Sequence, residues 1–251
     1  MSGSPDLLLA ALHWVEYVGL LGGIGSMIIR RLARNRPTIS WAHPPMHIFL
    51  GVAFLGGLAV VSVEGLHADA LPGWERLARV AAEGLAFLFC FRQFGFPVPL
   101  TVLAVALLSL AGHATASQQP GAVFADAVHV LSAGMWAGGI LALATLNPPE
   151  GWRGPEARAL LDRFGGVALI AFAVTALTGV LRASDELHDL SALWTTSYGE
   201  VLALKSMGVA IMLVLSAVAW RRGVPLARAE AVVAVLVVGA TAVLAAFPTP
   251  H

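Results

Sequence analysis

Apolar residues run along the chain in eight blocks, roughly 7–29, 46–65, 75–93, 98–114, 122–146, 157–182, 198–220 and 227–247. Each approaches the roughly 20 apolar residues that carry a helix across a bilayer. The third block is interrupted by Arg76, Arg79 and Glu83, and the fourth is short. Turn formers separate the blocks: Pro44-Pro45, Pro72-Gly73, Pro97, Pro99, Pro120-Gly121, Pro148-Pro149, Gly223 and Pro225. Gly, Ser and Thr inside the blocks suit closely packed membrane helices. The pattern predicts an all-α fold, a polytopic bundle of about eight transmembrane helices that makes residues 1–251 a single transmembrane domain.

Composition agrees. The chain is 58% hydrophobic and 12% charged, with zero formal net charge. A soluble domain carries about 25% charged residues, so the surplus apolar surface is expected to face lipid. The zero balance gives no reason to expect nucleic acid. The one cysteine, Cys90, excludes an intrachain disulfide, a CxxC redox pair and a thiolate zinc site. The opening residues, Met1 to Asp6, lack the basic region of a signal peptide, so the first block is expected to be a retained span.

Arginine sets the orientation. Arg30, Arg31, Arg34 and Arg36 lie at the first connection, and Arg92 at the third. Arg153, Arg158 and Arg163 mark the fifth, and Arg221, Arg222 and Arg228 the seventh. These alternate connections share one face, predicted to be cytoplasmic, with both termini extracytoplasmic. The opposite face collects His13, Glu64, His67, Asp69, His113, Asp126, His129, Asp185, Glu186, His188, Asp189 and His251. Histidine and carboxylate suit a divalent or borderline-soft metal ion. For the acids in the loops, plain solvation is the more economical reading.

Two segments repeat. Ala11-Leu12-His13 precedes Gly22-Gly23, and Ala127-Val128-His129 precedes Gly138-Gly139, an offset of 116 residues. A fainter echo joins Glu75 to Ala78 with Glu200 to Ala203. The match predicts two parallel four-helix halves, 1–116 and 117–251, with His13 and His129 in equivalent places.

A histidine inside a spanning helix is a functional candidate, because polar groups in hydrocarbon are costly. Asp126 lies three residues before His129 on the same helical face, placed to orient the imidazole or to ligate beside it. A short connection brings His113 towards both. The candidate metal ligands are His113, His129, Asp126 and His13. Met135, about one and a half turns deeper than His129, offers a soft thioether to Cu(I). Glu16 and His188 are further accessory candidates. Glu16 and Glu83 are intramembrane acids that can relay protons or ions or simply pair with arginine, Arg79 and Glu83 standing four apart on one face. No GxSxG, HExxH, Walker or Rossmann pattern falls in a suitable context, and no nucleophile has an evident base, so no enzyme is expected.

Gly112-His113-Ala114 and the run from Asp126 through His129 and Trp136 to Gly139 resemble the copper resistance protein D family. So do Arg163-Phe164, the run from Thr195 through Tyr198-Gly199 to Lys205, Arg221-Arg222 and the tail from Glu230 to Pro250. The resemblance covers about residue 112 to the end. It implies a multi-pass protein of the bacterial inner membrane that brings copper from the periplasm towards the cytoplasm. It also implies a periplasmic copper-binding partner, expected here as a separate protein. Methionine-rich outer loops, which would favour Cu(I), are absent from the sequence. Two other readings remain open. Paired histidines on facing helices, with glycines beside the rings, suit haem b in a membrane electron carrier. A membrane subunit that anchors a larger complex would need no metal at all.

Overall fold

The computed structural model describes residues 5–67, 73–92, 96–111, 121–186, 191–222 and 226–247. They form α1 (Leu7–Ala33), α2 (Met46–His67), α3 (Trp74–Phe89), α4 (Pro97–Ala111), α5 (Ala122–Ala144), α6 (Pro155–Glu186), α7 (Ser197–Arg222) and α8 (Ala227–Ala245), with a single turn of helix at Ala192–Thr195. There is no strand among the described residues. Each helix falls on one of the eight apolar blocks. Six of them, α1, α2, α5, α6, α7 and α8, are long and apolar enough to cross a membrane. At 15 residues, α4 is apolar but short; at 16 residues, α3 carries charge in its middle.

Local chemistry marks the ends. Asp6 caps α1, its carboxylate accepting from the amides of Leu8 and Leu9 at 2.9 and 3.0 Å. Pro97 and Pro155 begin α4 and α6, where the missing amide proton is no loss. The middle of α5 departs from the pattern. Gly134-Met135-Trp136-Ala137-Gly138 forms a π-helical turn.

α1 and α5 cross at the centre. Gly25 and Gly138 lie against each other's backbone, and a Cβ at Gly138 would collide with the Leu21 carbonyl oxygen. This is the close approach that small residues permit between membrane helices. Around the crossing, α1 packs on α2, and α5 on α6; α3 packs on α4, and α7 on α8. α4 then meets α5, while α8 meets α1, where the Trp14 indole donates to the Val235 carbonyl at 2.9 Å.

The arginine-bearing connections gather at one end. Arg163, opening α6, donates to the carbonyls of Leu32, Asn35 and Pro37 beyond α1, at 3.0, 3.1 and 3.0 Å. Arg228, opening α8, reaches the Asn147 side chain at the end of α5. His47, opening α2, packs on Phe91 beyond α3 with ring centres 5.8 Å apart. At the opposite end the Asp6 amide donates to the Ala246 carbonyl, joining the start of α1 to the end of α8.

Candidate functional site

Helix α5 presents Asp126 and His129 to α6. The Thr178 hydroxyl donates to the Val174 carbonyl at 2.7 Å, as intramembrane threonines commonly do. Its proton is thereby used, so its contact with His129 Nδ1 at 3.0 Å has the imidazole as donor. The ring is held as the Nδ1–H tautomer, and Nε2 carries the lone pair. Gly179 leaves the room: a Cβ there would stand 3.3 Å from the imidazole. One turn deeper, Ser132 and Thr175 join their hydroxyls across α5 and α6 at 2.8 Å. Below them comes the π turn, with Trp136 buried edge-on against Phe172 at a ring separation of 4.9 Å. π turns inside α-helices recur at functional sites.

Asp126 was expected to orient His129 or to ligate beside it. Instead its carboxylate pairs with Arg182, one turn beyond Thr178 on α6. The facing helix decides this: it places a hydroxyl over the ring and a guanidinium over the carboxylate. Arg182 and Lys205 of α7 both lie near enough to act on His129 electrostatically. The neighbourhood thus holds one carboxylate and two cations. The site offers an imidazole nitrogen with a free lone pair, and a carboxylate already occupied by an arginine.

His13 has other company. Its Nδ1 lies 3.2 Å from Glu16 Oε2, and its ring is stacked at a tilt on Tyr17. Glu16 in turn pairs with Arg79 of α3 at 3.2 Å. Arg79 was expected to serve Glu83, four residues on along its own helix. It reaches across to α1 instead, because both α3 side chains point into the bundle and Glu16 lies directly opposite. Met135 is partly buried between the two core clusters, beside Leu20 and Ile24 of α1. The glycines expected beside a haem are taken up by packing: Gly22 and Gly23 meet Phe49 and Leu50 of α2, Gly138 meets Leu21 of α1, and Gly139 meets Phe164 of α6. His113, His188, Asp69, Asp189 and His251 lie outside the described residues, as do the side chains of His67, Asp185 and Glu186. Among the described residues, no three His, Cys, Asp or Glu side chains converge as metal ligands.

Sequence reasoning missed Thr178, Arg182 and Lys205 as site residues. A lone arginine between Leu181 and Ala183 is a signal of its own, since a charge inside an apolar run needs a partner. Thr178 gives no such signal; only the packing of α6 on α5 reveals it.

An all-helical bundle with six helices fit to span, and with polar side chains paired across helix interfaces, defines a multi-pass membrane protein. Residues 158–245, from the first turns of α6 to the end of α8, match the family model described as Copper resistance protein D. This region, which holds Thr178, Arg182 and Lys205, is similar to the copper resistance protein D family, the likeness that its motifs led us to expect. The copper transport protein CutJ of Bacillus subtilis (strain 168) is 32% identical over 175 residues, which cover 64% of this chain and 32% of that protein. The chain therefore spans about a third of the length of this curated relative. No solved structure matches.

Proposed function

We propose that the chain is a membrane component that transports or delivers copper across a bacterial inner membrane, without enzymatic chemistry. The observation that carries this reading is His129: an imidazole inside a spanning helix, its Nδ1–H given to Thr178, its Nε2 left as a ligand. Metal-binding histidines commonly have the other ring nitrogen fixed in this way. The similarity to a copper transport protein supplies the ion. His129 receives it, Asp126 becomes a second ligand once Arg182 lets go, and His113 is the candidate third. Arg182 is then a tethered cation that holds the carboxylate until copper displaces it. Met135, deeper on α5, is the next soft donor inward.

The same reading takes all eight helices as crossings, in two parallel halves with both termini extracytoplasmic. Three observations support it. The arginine-bearing ends lie together. The pairing of α1 with α2 and of α3 with α4 is echoed by that of α5 with α6 and of α7 with α8. Of the charges that break the apolar run of α3, Arg79 and Glu83 are buried, Arg79 against Glu16 of α1. A periplasmic copper-binding protein is the expected partner, and membrane lipid the surroundings.

Metal analysis and a visible spectrum of the purified chain, beside His129→Ala, test the proposal. Roughly stoichiometric copper that is lost in the variant, without a Soret band, is the expected result. A Soret band lost in the variant would make this a haem protein. No copper and no haem, even after copper is added back, would leave an anchoring subunit.

A further inference from the structure

The first half encloses a group of ionisable side chains that copper binding at His129 does not use. Glu16 of α1 is 0% exposed, Arg79 and Glu83 of α3 are 2% each, and His13 is 9%. Arg79 and His13 each touch one oxygen of Glu16, at 3.2 Å. Glu83 is different: both of its carboxylate oxygens are buried and meet no donor. They are not aimed into empty space. Above Gly57 of α2 a Cβ would collide with Glu83 Oε2 and stand 3.3 Å from Glu16 Oε1, so the two carboxyls converge on the room this glycine leaves.

Two ionised carboxylates have only acceptors to offer each other, and become partners when one carries a proton. The charge count agrees. Two carboxylates and one guanidinium leave one negative charge to be compensated by a proton among apolar helices, where such a charge is expensive. A single added proton brings the cluster to neutrality and supplies the donor that Glu83 lacks. Arg79 keeps Nε and Nη2 without a partner, but neither reaches a Glu83 oxygen within hydrogen-bonding distance, and among the described residues no second arginine or lysine is paired into the cluster. α4 carries no titratable side chain. On α2, Glu64 is paired with Arg76 of α3 at 3.3 Å. Tyr17 is stacked on His13, and the charge of Asp126 on α5 is matched by Arg182 of α6.

We propose that Glu16, Glu83, Arg79 and His13 form a proton-binding site, in which one proton is shared between the two carboxyls. Arg79 keeps the remaining negative charge on Glu16. His13, the most exposed member, is the relay through which the proton arrives and leaves. The site stands without the copper reading. In a copper carrier, it supplies a charge that can be exchanged as a cation moves.

Infrared spectroscopy of the purified chain in lipid discs, recorded in H2O and D2O, reads the protonated carboxyl directly. The wild type is expected to show a buried carboxylic-acid band at neutral pH that is lost in Glu83→Gln. Gln has the shape and neutrality of the protonated acid, so this variant is expected to keep the wild-type melting temperature. His129→Ala is expected to leave the band unchanged, so the copper and proton readings fail separately. A folded wild type without the band, or a band that survives in both Glu16→Gln and Glu83→Gln, would overturn the proposal.

Discussion

His13 and His129 occupy matching places in the two repeated segments, yet their surroundings have diverged. Three residues after His13 comes Glu16; three residues after His129 comes Ser132. In the first half, the carboxylate draws in Arg79 and leaves Glu83 beside it, all at most 2% exposed. In the second half, hydroxyls of Ser132, Thr175 and Thr178 line the same face, and the carboxylate of Asp126 is held by an arginine whose side chain is 39% exposed. One framework therefore carries a closed ionic cluster on one side and a looser, neutral histidine site on the other. The closed cluster is suited to hold a proton; the looser site can open for a larger ion, because its arginine gives up little on leaving.

The sharpest way to break that comparison is to remove the arginines one at a time. Arg79→Gln leaves Glu16 and Glu83 buried without a cation. Breaking a buried pair in this way costs about 3–5 kcal/mol. Arg182→Gln removes a half-exposed partner, for which an exposed-pair cost of about 0.2–1 kcal/mol applies. Thermal unfolding of both variants in one detergent checks the difference. Equal losses would mean that the two halves do not differ in the way their burial indicates.

Next in size is the contact between the halves. A methyl group at Gly138 meets the backbone of α1, at Leu21 and Gly25, and backbone has little freedom to move aside. Gly138→Ala is expected to cost about 3 kcal/mol, the upper part of the overpacking range. Gly166→Ala on α6 meets nothing within 4 Å and gains helix propensity, a stabilisation of up to about 1 kcal/mol. The opposite signs separate a glycine needed for close approach from one that merely sits in a helix. If Gly138→Ala unfolds at the wild-type temperature, α1 and α5 are not held together at their glycines.

The helices were legible because the apolar blocks are long and their ends are marked by Pro and Arg. Partner choice was not legible. Spacing along one helix paired Arg79 with Glu83 and Asp126 with His129, and in both cases the facing helix supplied the partner, Glu16 and Thr178 respectively. Sequence periodicity records which residues share a face, but not what stands opposite that face. The glycine pairs were visible as a repeat. That they meet at the α1–α5 crossing depends on the packing of distant segments. The π turn at Gly134–Gly138 had no signature beyond a concentration of small residues.

The smallest expected effect tests the histidines themselves. Thr178→Val keeps the shape of the side chain but removes the acceptor for His129 Nδ1–H, so the ring loses both its fixed tautomer and its orientation. Loss of such a partner typically weakens metal binding 10–100-fold, about 1.4–2.7 kcal/mol. Its counterpart at the 116-residue offset, Ser62 on α2, donates only to the Leu58 carbonyl of its own helix at 2.7 Å. Ser62→Ala is therefore expected to leave copper affinity unchanged. Copper titration of both variants by competition with a chelator makes the measurement. A loss confined to Thr178→Val places the metal-binding function on α5 and α6 and keeps the two halves distinct. A loss of similar size in Ser62→Ala would show that the first half also takes part in holding the ion, and the division of labour between His13 and His129 would fall.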